Sequence, residues 1–213
     1  MQRSSFQIQL EEGWLLQVTA RQPRAATHCR QGEGEVGREG VAVETVADME
    51  ALFSAPRFLG FKPYPSYGIP YDDPRYDVWW QFGNERKLYC GIHPTRWYEE
   101  GEFDAICSRF PDLTVIAYHC GGSYPVADAA INLARKYPNF YAEITLTPVC
   151  AGIIDYLVEG CGPDRILYGS DMPMRDPRQQ LGWVVYSRLP LDQKKAVLGA
   201  NAKRIIDHVR SHQ

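Results

Sequence analysis

The chain repeats one unit from residue 57 onward, a short apolar run followed by a longer amphipathic stretch. The runs begin about 25 to 30 residues apart and read RFLGFKPY (57–64), LYCGIH (88–93), LTVIAYH (113–119), FYAEIT (140–145) and RILYGSD (165–171). Short apolar runs are typical of strands buried on both faces, and helices between them are the usual crossovers of a parallel sheet. The repeat therefore predicts an α/β fold, either a doubly wound sheet or a β/α barrel.

Composition narrows the possible functions. The chain has 213 residues, enough for one domain with a hydrophobic core. Its formal net charge of −3 gives no excess of positive charge that would favour nucleic acid binding. No apolar run approaches the roughly 20 residues that span a membrane. The six cysteines include no CxxC pair, which favours reduced cysteines. We therefore expect a cytoplasmic protein that acts on a small molecule, with neither nucleic acid nor membrane as a partner.

The first 39 residues differ from the rest, because 21–39 are polar and rich in glycine. FQIQL (6–10) and WLLQV (14–18) could pair as a hairpin, GVAVET (40–45) could be a further strand, and a helix is expected over 46–54. We therefore divide the chain into an irregular N-terminal segment, 1–39, and a barrel domain, 40–213.

Three apolar runs end in a titratable side chain: His93, His119 and Asp171. In parallel α/β folds the carboxyl ends of the strands carry the chemistry. Each residue alone has a simpler structural explanation as a turn or cap residue, but the three together indicate a site. Imidazole and carboxylate ligands suit zinc, manganese or iron. Lys62, at the end of an earlier strand, would meet an anionic substrate there unless it is simply a solvated lysine.

Six segments together resemble the amidohydrolase-related (amidohydrolase 2) family of metal-dependent TIM-barrel hydrolases and decarboxylases. They lie in family order over about residues 57–206 and read GFKPYP, GIHP, AYHCGG, YPNFYAEIT, GPDRILYGSDMP and VLGANAKRII. The resemblance implies a TIM-barrel type fold and hydrolysis by a metal-activated water. Decarboxylation is the alternative reaction, and zinc is the expected metal, with manganese as the second choice.

The resemblance also implies roles for individual residues. His93 and Asp171 would bind the metal, while His119 would act as an acid, a base or a polarising group. Asp171 would also handle the proton of the metal-bound water, which makes His119 and Asp171 the expected catalytic pair. Lys62 and Tyr64 are the expected substrate-binding residues.

One family feature is missing, the His-x-His pair that closes the first strand and binds the metal. The only histidine upstream of His93 is His28. We therefore expect an incomplete barrel that lacks the usual first strands, with open sheet edges that favour a homodimer. Three hypotheses stay open: a metal enzyme completed by His28 or by a second chain, an acid–base enzyme without metal, and a metal-free truncated relative that serves as a binding or structural protein.

The substrate class is predicted only broadly, as a small aromatic or carboxylated molecule. Several aromatic side chains near the strand ends, among them Trp79, Trp80 and Tyr124, would suit a ring-bearing acid. The alternative for these aromatic residues is packing in the core.

Overall fold

Strands and helices alternate along the computed structural model, which describes residues 14–18, 46–54, 58–63, 70–94, 101–145, 151–171 and 176–213. The strands are β1 (Trp14–Val18), β2 (Phe58–Pro63), β3 (Tyr89–Ile92), β4 (Thr114–Ala117), β5 (Phe140–Glu143) and β6 (Ile166–Leu167). The helices are α1 (Val46–Phe53), α2 (Asp77–Glu85), α3 (Gly101–Arg109), α4 (Tyr124–Lys136), α5 (Ile153–Cys161), α6 (Pro177–Val185), α7 (Leu191–Lys195) and α8 (Asn201–Arg210). Two 3₁₀ turns (Pro74–Tyr76 and Pro163–Arg165) and a π-helical turn (Ala196–Ala200) connect them.

The six strands form one parallel sheet in the order β1-β2-β3-β4-β5-β6. A doubly wound sheet reverses its strand order at a switch point, whereas a β/α barrel adds each strand beside the previous one. The sequential order therefore confirms the barrel-type architecture. Within the described residues the barrel does not close, since β1 and β6 each pair with a single neighbour.

Residues 14–18 form β1 and pair in parallel with β2, with Leu16 opposite Phe61. The predicted helix over 46–54 is confirmed as α1. FQIQL and GVAVET lie outside the described residues, so the hairpin and the additional strand stay predictions. The division at residue 39 is not tested for the same reason.

The two faces of the sheet carry different side chains because neighbouring residues of a strand point to opposite faces. One face packs on the helices: Phe61 stacks on Trp80 of α2, and Phe140 meets Phe103 of α3 edge to face. These residues belong to one continuous buried core. The apolar side chains of the runs therefore pack against the helices, and this packing buries one face of the sheet.

The opposite face carries polar groups at the carboxyl ends of the strands. Gly91 pairs with Ile116, and Ile116 pairs with Tyr141, so alternation places Lys62, Tyr118 and Glu143 on the same face. A side chain at Gly91 would collide with the Tyr118 hydroxyl. Glycine at position 91 therefore leaves room for the Tyr118 side chain, which follows β4, to lie across β3.

The last helix, α8, contacts two strands that are not neighbours in the sheet. Helix α8 contacts both β2 and β6. The buried Asn201 side chain donates from Nδ2 to the carbonyls of Pro163 (2.7 Å) and Ile166 (2.8 Å). Gln213 donates to the Phe58 carbonyl at 3.0 Å. The Asn201 bonds therefore hold the start of α8 to the region of β6, and the Gln213 bond holds the last residue to β2.

Two compositional expectations can be compared with the structure. Among the described residues, Cys90, Cys107 and Cys120 are buried free thiols, and Cys161 is a free thiol of intermediate exposure. None of the described helices has both the length and the apolar composition needed to cross a membrane.

Candidate active site

Two predicted site residues, His93 and His119, are in direct contact at the carboxyl end of the sheet. His93 directly follows β3, and His119 lies two residues beyond β4. Nδ1 of His93 is 2.9 Å from Nε2 of His119, and the rings meet edge to face with centroids 4.7 Å apart. Neighbouring parallel strands thus bring together two histidines that are 26 residues apart in sequence.

The end of β5 holds His119 by backbone and side chain. Its ring Nδ1 lies 3.1 Å from the Thr145 carbonyl oxygen. Its backbone N–H donates to Oε2 of Glu143 at 3.4 Å, and the N–H of Cys120 donates to the Glu143 carbonyl at 2.8 Å. The imidazole is therefore fixed on two sides, by His93 and by the Thr145 carbonyl.

Left-handed backbone is concentrated at the predicted site. Among the described residues other than glycine, only Lys87, His119 and Asp171 have a positive φ, with values of 67° at His119 and 61° at Asp171. Such conformations are uncommon outside glycine and cluster at functional sites. Two of the three predicted strand-end residues therefore share this unusual backbone conformation.

Lys62 is buried on the same face of the sheet, with only 3% of its surface exposed, so the alternative of a solvated lysine is wrong. Its Nζ lies 4.8 Å from the centre of the Tyr118 ring. Burial lowers the Lys62 pKa to about 8, while the nearby negative charges of Asp171 and Glu143 oppose this change. The side chain therefore remains mostly cationic at pH 7.

Glu143 is the residue that the sequence analysis missed. It is 1% exposed, and Thr145 donates its hydroxyl to Oε1. Burial raises the Glu143 pKa to about 7, against hydrogen bonds from Thr145 and His119 and the positive charge of Lys62. The available signal was a single carboxylate inside the apolar run FYAEIT, because such a group is buried only where it is paired or hydrogen-bonded.

The electrostatic environment keeps His93 a neutral base. Burial lowers the His93 pKa, and the positive charge of Lys62 lowers it further. Near Lys62, the buried Tyr118 hydroxyl has no hydrogen-bond partner within the described part of the chain, and burial raises the Tyr118 pKa. The site thus combines a cation, a buried carboxylate and the two contacting imidazoles of His93 and His119.

The remaining predicted residues have different outcomes. Tyr64 and His28 lie outside the described residues, so their roles stay predictions. Trp79 and Trp80 are buried in the core, where the Trp80 indole donates to the Tyr71 carbonyl at 3.1 Å, so core packing is the correct explanation for these two tryptophans. Tyr124 is exposed at the start of α4.

The described side chains do not offer the donor set that a divalent metal needs. Zinc sites in proteins take at least three protein ligands. Within the described ranges, no group of three or more His, Cys, Asp or Glu side chains is arranged to hold a metal ion. Nε2 of His119 faces His93, and its other ring nitrogen faces the Thr145 carbonyl. The described residues by themselves therefore do not fit a metal centre.

Comparison with known proteins identifies the family. The amidohydrolase family model matches residues 16–207, which includes most of β1 and extends upstream of the six segments that carry the resemblance. No curated protein matches this chain.

The fold is similar to that of an uncharacterized TIM-barrel protein from Bordetella bronchiseptica, with a TM-score of 0.66 and 21% identity over 77% of this chain and 62% of that one. It is also similar to 5-carboxyvanillate decarboxylase from Sphingomonas paucimobilis (TM-score 0.58, 18% identity, 80% of this chain and 67% of that one). A third similar structure is a manganese-bound dihydroxybenzoic acid decarboxylase from a Polaromonas species (TM-score 0.56, 13% identity, 80% and 70%). The chain thus spans about three fifths of the length of the Bordetella protein. Since the family match covers nearly the whole sequence, the chain belongs to the amidohydrolase family.

Proposed function

We propose that this protein is a hydrolase of small carboxylated substrates, in which the His93–His119 pair activates water and Lys62 binds negative charge. The observation that carries the proposal is the buried Lys62 ammonium group, which acts electrostatically on both His93 and Asp171. A buried cation attracts anions strongly because little water screens it. A carboxylate or a developing oxyanion is therefore the group that this site would stabilise.

The reaction follows from general acid–base chemistry. The His93–His119 pair removes a proton from water, and the water oxygen attacks the substrate carbonyl carbon. The carbonyl π electrons move to oxygen, where the Lys62 ammonium stabilises the negative charge. When the carbonyl re-forms, the leaving group departs and takes the proton from the imidazolium. Asp171 supports the cationic form of Lys62, because its negative charge raises the lysine pKa.

Chelation tests whether hydrolysis depends on a metal ion. We expect hydrolysis to survive exhaustive dialysis against EDTA, since every step above uses protein groups. Activity that is lost on dialysis and restored by zinc or manganese would instead support the metal-dependent mechanism of the resemblance, with further ligands from outside the described residues.

Decarboxylation is the second candidate, favoured by the same lysine. After loss of CO₂ from a carboxylated ring, the carbanion must receive a proton, and a lysine with a pKa of about 8 is a suitable donor near neutral pH. Two of the similar structures are decarboxylases, of 5-carboxyvanillate and dihydroxybenzoic acid. These two acids are therefore the first compounds to assay for CO₂ release.

The main experiment screens small carboxylated esters, lactones and amides together with these two acids, with proton NMR to separate hydrolysis from CO₂ loss. Lys62→Met should lower kcat/KM at least about tenfold, because it removes an interaction of about 1.5–3 kcal/mol with the substrate carboxylate or the developing oxyanion. Lys195→Met, which removes an exposed lysine of α7, is the matched control and should resemble wild type. Unchanged KM and kcat in Lys62→Met would refute the proposal. Lys62-dependent binding without turnover of any compound would favour the binding-protein hypothesis.

A further inference from the structure

Lys62 and Tyr118 are in contact although their strands are not neighbours in the sheet. Lys62 lies in β2, Tyr118 directly follows β4, and β3 runs between them. Neighbouring strands lie about 4.8 Å apart, so strands two positions apart are separated by roughly 10 Å. Two long side chains on one face can meet over that distance only by crossing the strand between them. The contact therefore depends on what β3 presents at this level.

Gly91 is the residue of β3 that leaves the space. A methyl group on Gly91 would overlap both the hydroxyl and the ring of Tyr118. Gly91 lies within a strand and is not among the described residues with a positive φ, so its backbone conformation is one that other residue types adopt. Glycine is therefore needed here for space, and the space is filled by the Tyr118 side chain.

The ring of Tyr118 makes the contact with the lysine. Nζ of Lys62 lies 4.8 Å from the ring centre, within the roughly 6 Å at which an aromatic face attracts an ammonium group. The two residues are 3% and 4% exposed, so little water competes with this attraction. Within the described part of the chain, the Tyr118 hydroxyl has no hydrogen-bond partner. The ring is therefore the part of this side chain that the described contacts require.

An aromatic face stabilises an ammonium group without cancelling its charge, which a carboxylate would do. Lys62 also interacts electrostatically with the carboxylates of Asp171 and Glu143. An ammonium group that turned toward these carboxylates would be neutralised and would attract a substrate anion less strongly. Held over the ring, the same group is stabilised and keeps its attraction for an anion.

We propose that Tyr118 is a positioning residue for Lys62, and that its ring, laid across Gly91, holds the ammonium group where it meets the carboxylate of the substrate. This role rests on the proposed function of Lys62, whereas the position of the ring under the ammonium group does not. The three residues come from consecutive segments of the sheet and act as one device.

NMR tests the position of the ammonium group without a substrate. In protein with ¹³C-labelled lysine, the ε-CH₂ signal of Lys62 should lie upfield of that of the exposed Lys195, because an aromatic face shields protons above it. Lys62→Met identifies the signal. Tyr118→Phe keeps the ring and should keep the upfield shift, whereas Tyr118→Leu should lose it. An unchanged Lys62 signal in Tyr118→Leu would overturn the proposal.

Benzoate, a carboxylated ring, is the probe for the effect on binding, measured by calorimetric titration. Tyr118→Phe should bind benzoate like wild type, and Tyr118→Leu about 5-fold or more weakly, because a buried contact between an ammonium group and a ring is lost. Tyr137→Leu is the matched control and should bind like wild type. The Tyr137 ring lies 5.0 Å from Nζ of Lys136, but that lysine is 61% exposed and forms an ion pair with Asp104.

Gly91→Ala tests the ring in a chain that retains Tyr118. The added methyl group displaces the ring, so this variant should weaken benzoate binding as Tyr118→Leu does. In a chain that already carries Tyr118→Leu, Gly91→Ala should have no further effect, because the ring that it displaces is absent. Losses that simply add would mean that Gly91 acts independently of Tyr118, and would overturn the proposal.

The two measurements separate this proposal from the proposed function. Benzoate binding that is lost in Lys62→Met but unchanged in Tyr118→Leu would refute the positioning role and leave the proposed function standing. Absence of benzoate binding to wild type, together with a Lys62 signal that depends on the ring, would refute the carboxylate-binding role of Lys62 and leave Tyr118 as the residue that positions it.

Discussion

The buried carboxylate of Glu143 should contribute stability that falls as pH rises from 4.5 to 7.5. Burial raises its pKa from the usual 4.5 to about 7, so between these values the folded chain holds a proton that the unfolded chain has released. The stabilisation is fully present below about pH 4.5 and is lost as pH rises through 7. The two pKa values differ by about 2.5, and each pKa unit is worth 1.36 kcal/mol, which gives about 3 kcal/mol.

Glu143→Gln isolates this contribution, because glutamine does not titrate. Urea unfolding followed by circular dichroism at pH 4.5, 5.5, 6.5 and 7.5 gives the free energy of unfolding for both proteins. The wild-type value minus the variant value should fall by about 3 kcal/mol across this range. In thermal unfolding, the same difference corresponds to roughly 6 to 12 °C for a domain of this size.

The control is Glu159→Gln, which removes an exposed carboxylate of α5 and should give a curve parallel to wild type. Parallel curves for wild type and Glu143→Gln would refute the reasoning, since they would mean that Glu143 titrates alike in the folded and unfolded chain.

Three further predictions concern packing and assembly. Gly169→Ala would drive a methyl group into the Glu143 carboxylate and should lower the free energy of unfolding by about 1–3 kcal/mol. Gly182→Ala in α6 meets nothing within 4 Å and should raise the free energy of unfolding by up to about 1 kcal/mol. Thermal unfolding should therefore show a lower midpoint for the first variant and an equal or higher midpoint for the second. Asn201→Ala leaves the carbonyls of Pro163 and Ile166 without their donor and should cost about 1–3 kcal/mol in urea unfolding; an unchanged midpoint would contradict that assignment. The open edges within the described sheet predict a homodimer, and sedimentation at micromolar concentration that shows only monomer would argue against it.

The strands could be predicted from the sequence, because each one depends mainly on the residues within its own segment. Buried parallel strands appear as apolar runs, and each of the five runs contains one of the strands β2 to β6. The spacing of the runs could not separate a doubly wound sheet from a barrel, because both use the same βαβ unit. Strand order separates them, and it depends on pairing between distant segments that leaves no mark in the run itself.

The candidate site was predictable only in part. The position of His93 and His119 at neighbouring strand ends follows from the runs, and their 2.9 Å contact agrees with it. Burial of Lys62 could not be decided, since an end-of-strand lysine is compatible with both solvent and core. Glu143 was missed because the run around it was interpreted only as apolar. The partner of His119 Nδ1 is a backbone carbonyl, that of Thr145, which carries no signature of residue type.

The left-handed backbone at His119 and Asp171 limits what selection or design can place there. At φ values near 60°, asparagine, aspartate, histidine and glycine are tolerated, whereas valine, isoleucine and threonine clash with their own backbone. A saturation library at these two positions should therefore return folded clones drawn from a short list of residue types, even when it is screened for folding alone. Loss of activity in His119→Val or Asp171→Val would combine a chemical defect with a misfolded turn, so asparagine is the substitution that separates the two.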